Sequence, residues 1–172
     1  MAGPHHLVRN PVFDASQQVV AYELRGRPHA SSEAEAGALL QAVQSPGLVH
    51  LVGSYDLLLP LPGAFLFQEL DNLLPSKQII LLFPAPESGQ EGLEEAIACR
   101  RKEGFRIGFE VADVGRADRD VLRQADFLRF DLQDFGDLAA LTTAAAHLRG
   151  MEAPWVVQGL NSRDELQQCQ AL

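Results

Sequence analysis

The sequence predicts an α/β protein, a parallel barrel or an open doubly wound sheet, whose first strand runs backwards. Three observations carry this expectation. Short β-like runs alternate with helical stretches along the 172 residues. Several of those runs are apolar on both faces, as in strands covered on each side. The first two runs, 7–13 and 18–25, are joined only by Asp14–Gln17. A parallel pair requires a crossover of about a dozen residues, so these two must form an antiparallel hairpin. A barrel with one reversed strand is the natural outcome.

Taken in order, the strand candidates are LVRNPVF (7–13), QVVAYELR (18–25), AFLFQ (64–68), QIILLF (78–83), FRIGFEV (105–111), DFLRFD (126–131) and PWVVQ (154–158). Each joins aliphatic or aromatic residues into a short run bounded by turn formers. The helices are expected at 32–44, stopped by Pro46-Gly47; at 89–103, stopped by Gly104; at 117–124; at 135–149, stopped by Gly150; and at 162–171. Ser162 followed by Glu165 fits a capping box. The piece LLLPLPGA (57–64) reads as a connector entering a strand. No repeat at a fixed period, low-complexity tract or heptad run is present.

Composition narrows the function classes. An apolar content of 47% over this length supports one substantial core and one domain, 1–172. The formal charge of −9 opposes a role along nucleic acid phosphates or an anionic membrane surface. Cys99 and Cys169 show neither C-x-x-C nor zinc-ligand spacing, which points to a reduced compartment. The opening MAGPHHLVRN is not a signal peptide, and no run approaches about 18 apolar residues. A cytoplasmic protein without a membrane span is expected. His5, His6, His29, His50 and His147 have no i, i+4 partner and no Ser/Asp constellation, so none is assigned a catalytic role. Gly108 and Gly115 lie near a strand without forming a nucleotide-binding G-x-G-x-x-G.

Four segments carry a resemblance. RNPVFDASQQVVAYELRGR, EGFRIGFEVADVG, ADFLRFD and VVQGLNSRDEL occur in that order across residues 9–171. They are similar to the motifs of EAL domains, the bacterial cyclic-di-GMP phosphodiesterase family. The form YELRGR is nearest to the divergent branch in which an EAL-like domain precedes an HDOD domain. The resemblance implies a TIM-like barrel of EAL type with an antiparallel first strand. It also implies an incomplete C-terminus, because the chain stops where family members continue into a last strand and helix. An open sheet edge there would favour pairing with a second copy or a neighbouring domain.

The resemblance further implies a two-metal centre, with magnesium or manganese held by carboxylates and an amide at the C-terminal strand ends. Mapped onto this chain, the first glutamate falls on Glu23 and the E-x-L-x-R arginine on Arg27, with Arg25 in place of the leucine. The metal-binding asparagine falls near Phe67, the glutamate of the fourth strand on Leu82, and the aspartate pair on Glu110 and Val111. The water-orienting lysine falls on Arg129, in a motif that also holds Asp131, and the last glutamate on Gln158, with Asn161 beside it. Lys77 and Lys102 precede strands, at the wrong end for the chemistry.

On this mapping most anionic ligands are gone, so no metal, no cofactor and no phosphodiester hydrolysis are expected. Signal transduction through protein contacts is the favoured expectation. A non-hydrolysing cyclic-di-GMP receptor, using Glu23, Arg25, Arg27, Glu110, Arg129, Asp131 and Gln158, is the alternative, and an active phosphodiesterase with rearranged ligands is a third. The plainer expectation for Glu23 is an ion pair with Arg27 or Arg129. Phe65, Phe67, Phe83, Phe109 and Phe127 are expected to pack the core or fill the former cavity.

Overall fold

In a computed structural model, the structure describes residues 7–26, 32–44, 52–70, 74 and 76–170. Among the described residues, seven strands follow one another in sheet order as they do in the chain. They are β1 (Val8–Phe13), β2 (Val19–Arg25), β3 (Asp56–Pro60), β4 (Ile79–Pro84), β5 (Arg106–Glu110), β6 (Phe127–Asp131) and β7 (Trp155–Gln158). The helices are α1 (Ser32–Gln44), α2 (Leu93–Lys102), α3 (Arg119–Leu122), α4 (Leu132–Phe135), α5 (Leu138–Ala145) and α6 (Arg163–Cys169). Among the described residues, no helix is long and apolar enough to cross a membrane.

The chain divides into two compact units. One comprises Met1–Phe83 with Leu93–Ile107, the other Pro84–Gly92 with Gly108–Leu172.

The first unit opens with the expected hairpin. β1 pairs antiparallel with β2 in the register Val8↔Arg25 to Phe13↔Val19, with an irregularity after Val12. Asp14 builds the turn: its Oδ1 accepts the Ser16 and Gln18 amides at 2.8 and 2.9 Å, an Asx-type closure. Gln17 takes up the left-handed backbone at φ 61. β3 then adds parallel to β2, and β4 parallel to β3. In α1 the buried Ala36, Leu39 and Val43 are spaced by three and four residues, which gathers them on one helical stripe. Arg100 of α2 is buried, pairs with Glu103 at 2.8 Å, and donates to the Gln68 carbonyl.

One expectation fails in this unit. The stretch 64–68 is not a strand: Gly63–Phe67 forms a 3-10 turn, closed by Phe65 N–H to Pro62 and Gln68 N–H to Phe65. The supposed connector holds the third strand instead. Leu57, Leu58 and Leu59 are all buried in β3, because a strand covered on both faces needs only apolar bulk. Phe67 is consequently exposed rather than packed in the core.

The second unit pairs β5 with β6 and β6 with β7, both parallel. Gly108 faces Phe127 across the first of these ladders, and a Cβ at 108 would clash with the edge of the phenyl ring. Phe109, Leu128 and Phe130 are fully buried. The expected helix 135–149 is not continuous: α4 ends at its first residue, and α5 and a 3-10 turn at Ala146–Leu148 occupy most of the rest. Gly136, at φ 89, ends α4, and Asp137 restarts the helix by accepting the Ala140 amide at 2.7 Å. α3 is one turn long, shorter than the expected 117–124, and is capped by Asp118. α6 carries the expected capping box between Ser162 and Glu165.

Candidate functional site

The residues singled out by the sequence divide between the two units. In the first, Glu23 and Arg25 are two apart on β2 and so project to the same face. Glu23 is buried, and its Oε1 accepts Arg25 Nε at 2.8 Å. Arg25 retains a third of its side-chain surface. The expected partner Arg27 lies outside the described residues, as do His5, His6, His29 and His50. Past the strand, Gly26 N–H donates to Glu35 Oε1 at 2.8 Å and ties the end of β2 to α1.

The other first-unit positions offer no oxygen donors. With β3 at 56–60, its C-terminal residue is Pro60, and Phe67 is not a strand residue. Phe67, the residue matched to the family's asparagine, therefore does not lie on the third strand. Leu82 is where it was expected, on β4, and is fully buried. Lys77 lies in the turn before β4 and Lys102 ends the helix before β5, so both stand at N-terminal strand ends.

In the second unit the strand ends bring four polar residues together. The parallel register sets Glu110 opposite Arg129, and Asp131 opposite Gln158. Arg129 Nη2 donates to Glu110 Oε1 at 2.6 Å, with the Arg129 side chain 4% and that of Glu110 31% exposed. This is a short, charge-assisted bond. Val111, next along, is fully buried.

Asp131 works twice. One carboxylate oxygen caps α4 by accepting the Gln133 amide at 3.0 Å, and the other accepts the Gln158 side-chain amide. Gly159, at φ 82, follows Gln158, and a Cβ there would stand 3.1 Å from Asp131 Oδ1. The close approach of this turn to the carboxylate favours glycine. Asn161 is occupied locally: its side chain donates to the Gly159 carbonyl and its backbone amide to Glu165.

Sequence reasoning did not find two of these pairings. It named Arg27 or Arg129 as partners of Glu23, but linked neither Arg129 with Glu110 nor Asp131 with Gln158. The signal was present, because residues at corresponding parallel strand ends stand side by side. It becomes readable once the register is known. Among the described residues, no group of three or more His, Cys, Asp and Glu is placed to hold a metal ion.

No protein-family model matches the chain, and no curated protein matches it. Solved structures do. Klebsiella pneumoniae BlrP1, in a complex with calcium and cyclic-di-GMP, superposes with a TM-score of 0.67 at 15% identity, covering 98% of this chain and 52% of that one. A standalone EAL protein from Vibrio cholerae O395, in its cyclic-di-GMP-bound form, gives a TM-score of 0.69 at 14% identity, covering 98% and 86%. The PaMucR phosphodiesterase, also in complex with cyclic-di-GMP, gives 0.68 at 15%, covering 96% and 90%. The chain thus spans about half of BlrP1 and most of the other two. At these identities the likeness is one of fold: an α/β, TIM-like architecture of EAL type with an antiparallel first strand.

Proposed function

We propose that this chain is a catalytically silent EAL-type domain that transmits signals through protein contacts, with a second copy or an adjoining domain such as HDOD as its partner. The observation that carries the reading is the Arg129–Glu110 pair at 2.6 Å. In a two-metal centre a carboxylate at this strand end neutralises a dication. Here a permanently charged guanidinium already takes that carboxylate, and it would repel a metal ion brought beside it.

The surrounding residues do not fit paired divalent ions either. Hard cations need oxygen donors, while Pro60, Leu82 and Val111 carry none on their side chains. Gln158 presents its amide nitrogen to Asp131, and an amide cannot serve as a general base.

The likeness to structures solved with cyclic-di-GMP keeps a second reading in view, that of a receptor that binds the dinucleotide without cutting it. Arg25, with a third of its side chain exposed, is the group best suited to a phosphate. Calorimetry with cyclic-di-GMP, with and without manganese, separates the readings. No heat and no linear product is the expected result. Saturable heat without turnover would replace the proposal with the receptor reading, and metal-dependent linearisation to pGpG would overturn both.

A further inference from the structure

The second unit contains a cavity of about 430 Å³, away from the strand ends considered above. It lies around the loop that enters β7, with Cys169 of α6 contributing to its wall. The volume falls in the range of small-molecule sites, about 300–1,000 Å³. Leu148, Met151, Pro154, Trp155 and Val157 give it an apolar wall. Trp155 is anchored by Phe130, ring centroids 5.1 Å apart, so its indole is held in place rather than free to collapse into the space.

One feature gives the cavity a charge preference: Arg149 is exposed and lines it. Arg119 ties down the loop by donating to the Arg149 carbonyl at 3.2 Å. Neither Arg119 nor Glu152, the exposed carboxylate of this loop, is part of the lining. In a chain of net charge −9, a guanidinium on the wall of an apolar recess is a local exception, and it suits an anionic head on an apolar tail.

We propose that this cavity binds a small amphipathic carboxylate of the medium-chain fatty acid class. The tail packs on Trp155, Met151 and Pro154, and the carboxylate meets Arg149. The site is independent of the function proposed above. Desolvation by burial raises the Cys169 thiol above its ordinary value of 9.0. The thiol therefore stays protonated at neutral pH and presents an uncharged wall to the tail.

The chain has a single tryptophan, so intrinsic fluorescence reads the cavity directly. Titration of the full chain with octanoate is expected to give a saturable change in Trp155 emission, with 1-octanol binding more weakly. Arg149→Gln lies on an exposed loop and should weaken octanoate by roughly tenfold while leaving octanol unchanged. Ala153→Phe, filling the half-buried lining position, should abolish both, with circular dichroism verifying the fold. A second readout uses a Cys99→Ser background, in which bound octanoate should slow labelling of Cys169 by an aromatic disulfide. Absence of a saturable change with octanoate would overturn the proposal, as would octanoate and octanol binding alike in the parent chain or being weakened to the same extent by Arg149→Gln.

Discussion

The guanidinium of Arg129 is held almost entirely out of water while its partner carboxylate keeps limited contact with solvent. Removing one member of such a pair leaves a desolvated charge uncompensated, which costs about 3–5 kcal/mol when both are fully buried. Solvent reaching Glu110 reduces this, and Arg129→Met should cost about 2 kcal/mol in chemical denaturation. Glu110→Gln should cost less, because the carboxylate is the better hydrated partner. The double variant should lose clearly less than the sum of the two, since it removes both charges together. Additive losses would mean that the two side chains do not interact in solution. Asp131 holds a helix cap and the Gln158 amide at once, so both acidic strand-end residues of this unit are already committed to neighbours within it.

At the scale of elements, legibility followed the type of signal. The reversed first strand could be read from the length of its turn, and α6 from Ser162 and Glu165, because both signals are local and have one geometric solution. β3 was not legible. Leu57–Leu59 lack β-branching and are followed by Pro60 and Pro62, a pattern that demotes a strand when read alone; burial on both faces decides its structure. The same misplacement puts Phe67, expected on the third strand, in a turn. The aromatic run 64–68 misled in the opposite direction, because Pro62-Gly63 starts a 3-10 turn that its β propensity does not reveal. Gly108 carries no sequence signal of its own beyond lacking a nucleotide-loop pattern. Its function is packing, since Phe127 occupies the space of its missing side chain. Gly108→Ala should therefore destabilise by about 1–3 kcal/mol through overpacking. Adding Phe127→Leu to that variant should recover part of the loss, whereas a Gly108→Ala variant as stable as the parent would contradict the packing argument.

Over the whole molecule, 23 acidic side chains face 14 basic ones, giving the formal charge of −9. Self-repulsion of this kind opposes compaction, and salt screens it: the Debye length falls from about 30 Å at 0.01 M to about 8 Å at 0.15 M. Salt also weakens attractive pairs, so the sign of its effect depends on where those pairs lie. Arg116–Glu87 and Arg123–Asp120 are more than half exposed on both partners, and such pairs contribute little to begin with. Arg100–Glu103 and Arg129–Glu110 are buried on the arginine side and are screened much less. Relief of repulsion should therefore outweigh loss of attraction, and the melting temperature should rise as sodium chloride is taken from 0.01 to 0.15 M. A melting temperature that falls over that interval would show that exposed ion pairs contribute more to stability than their accessibility allows.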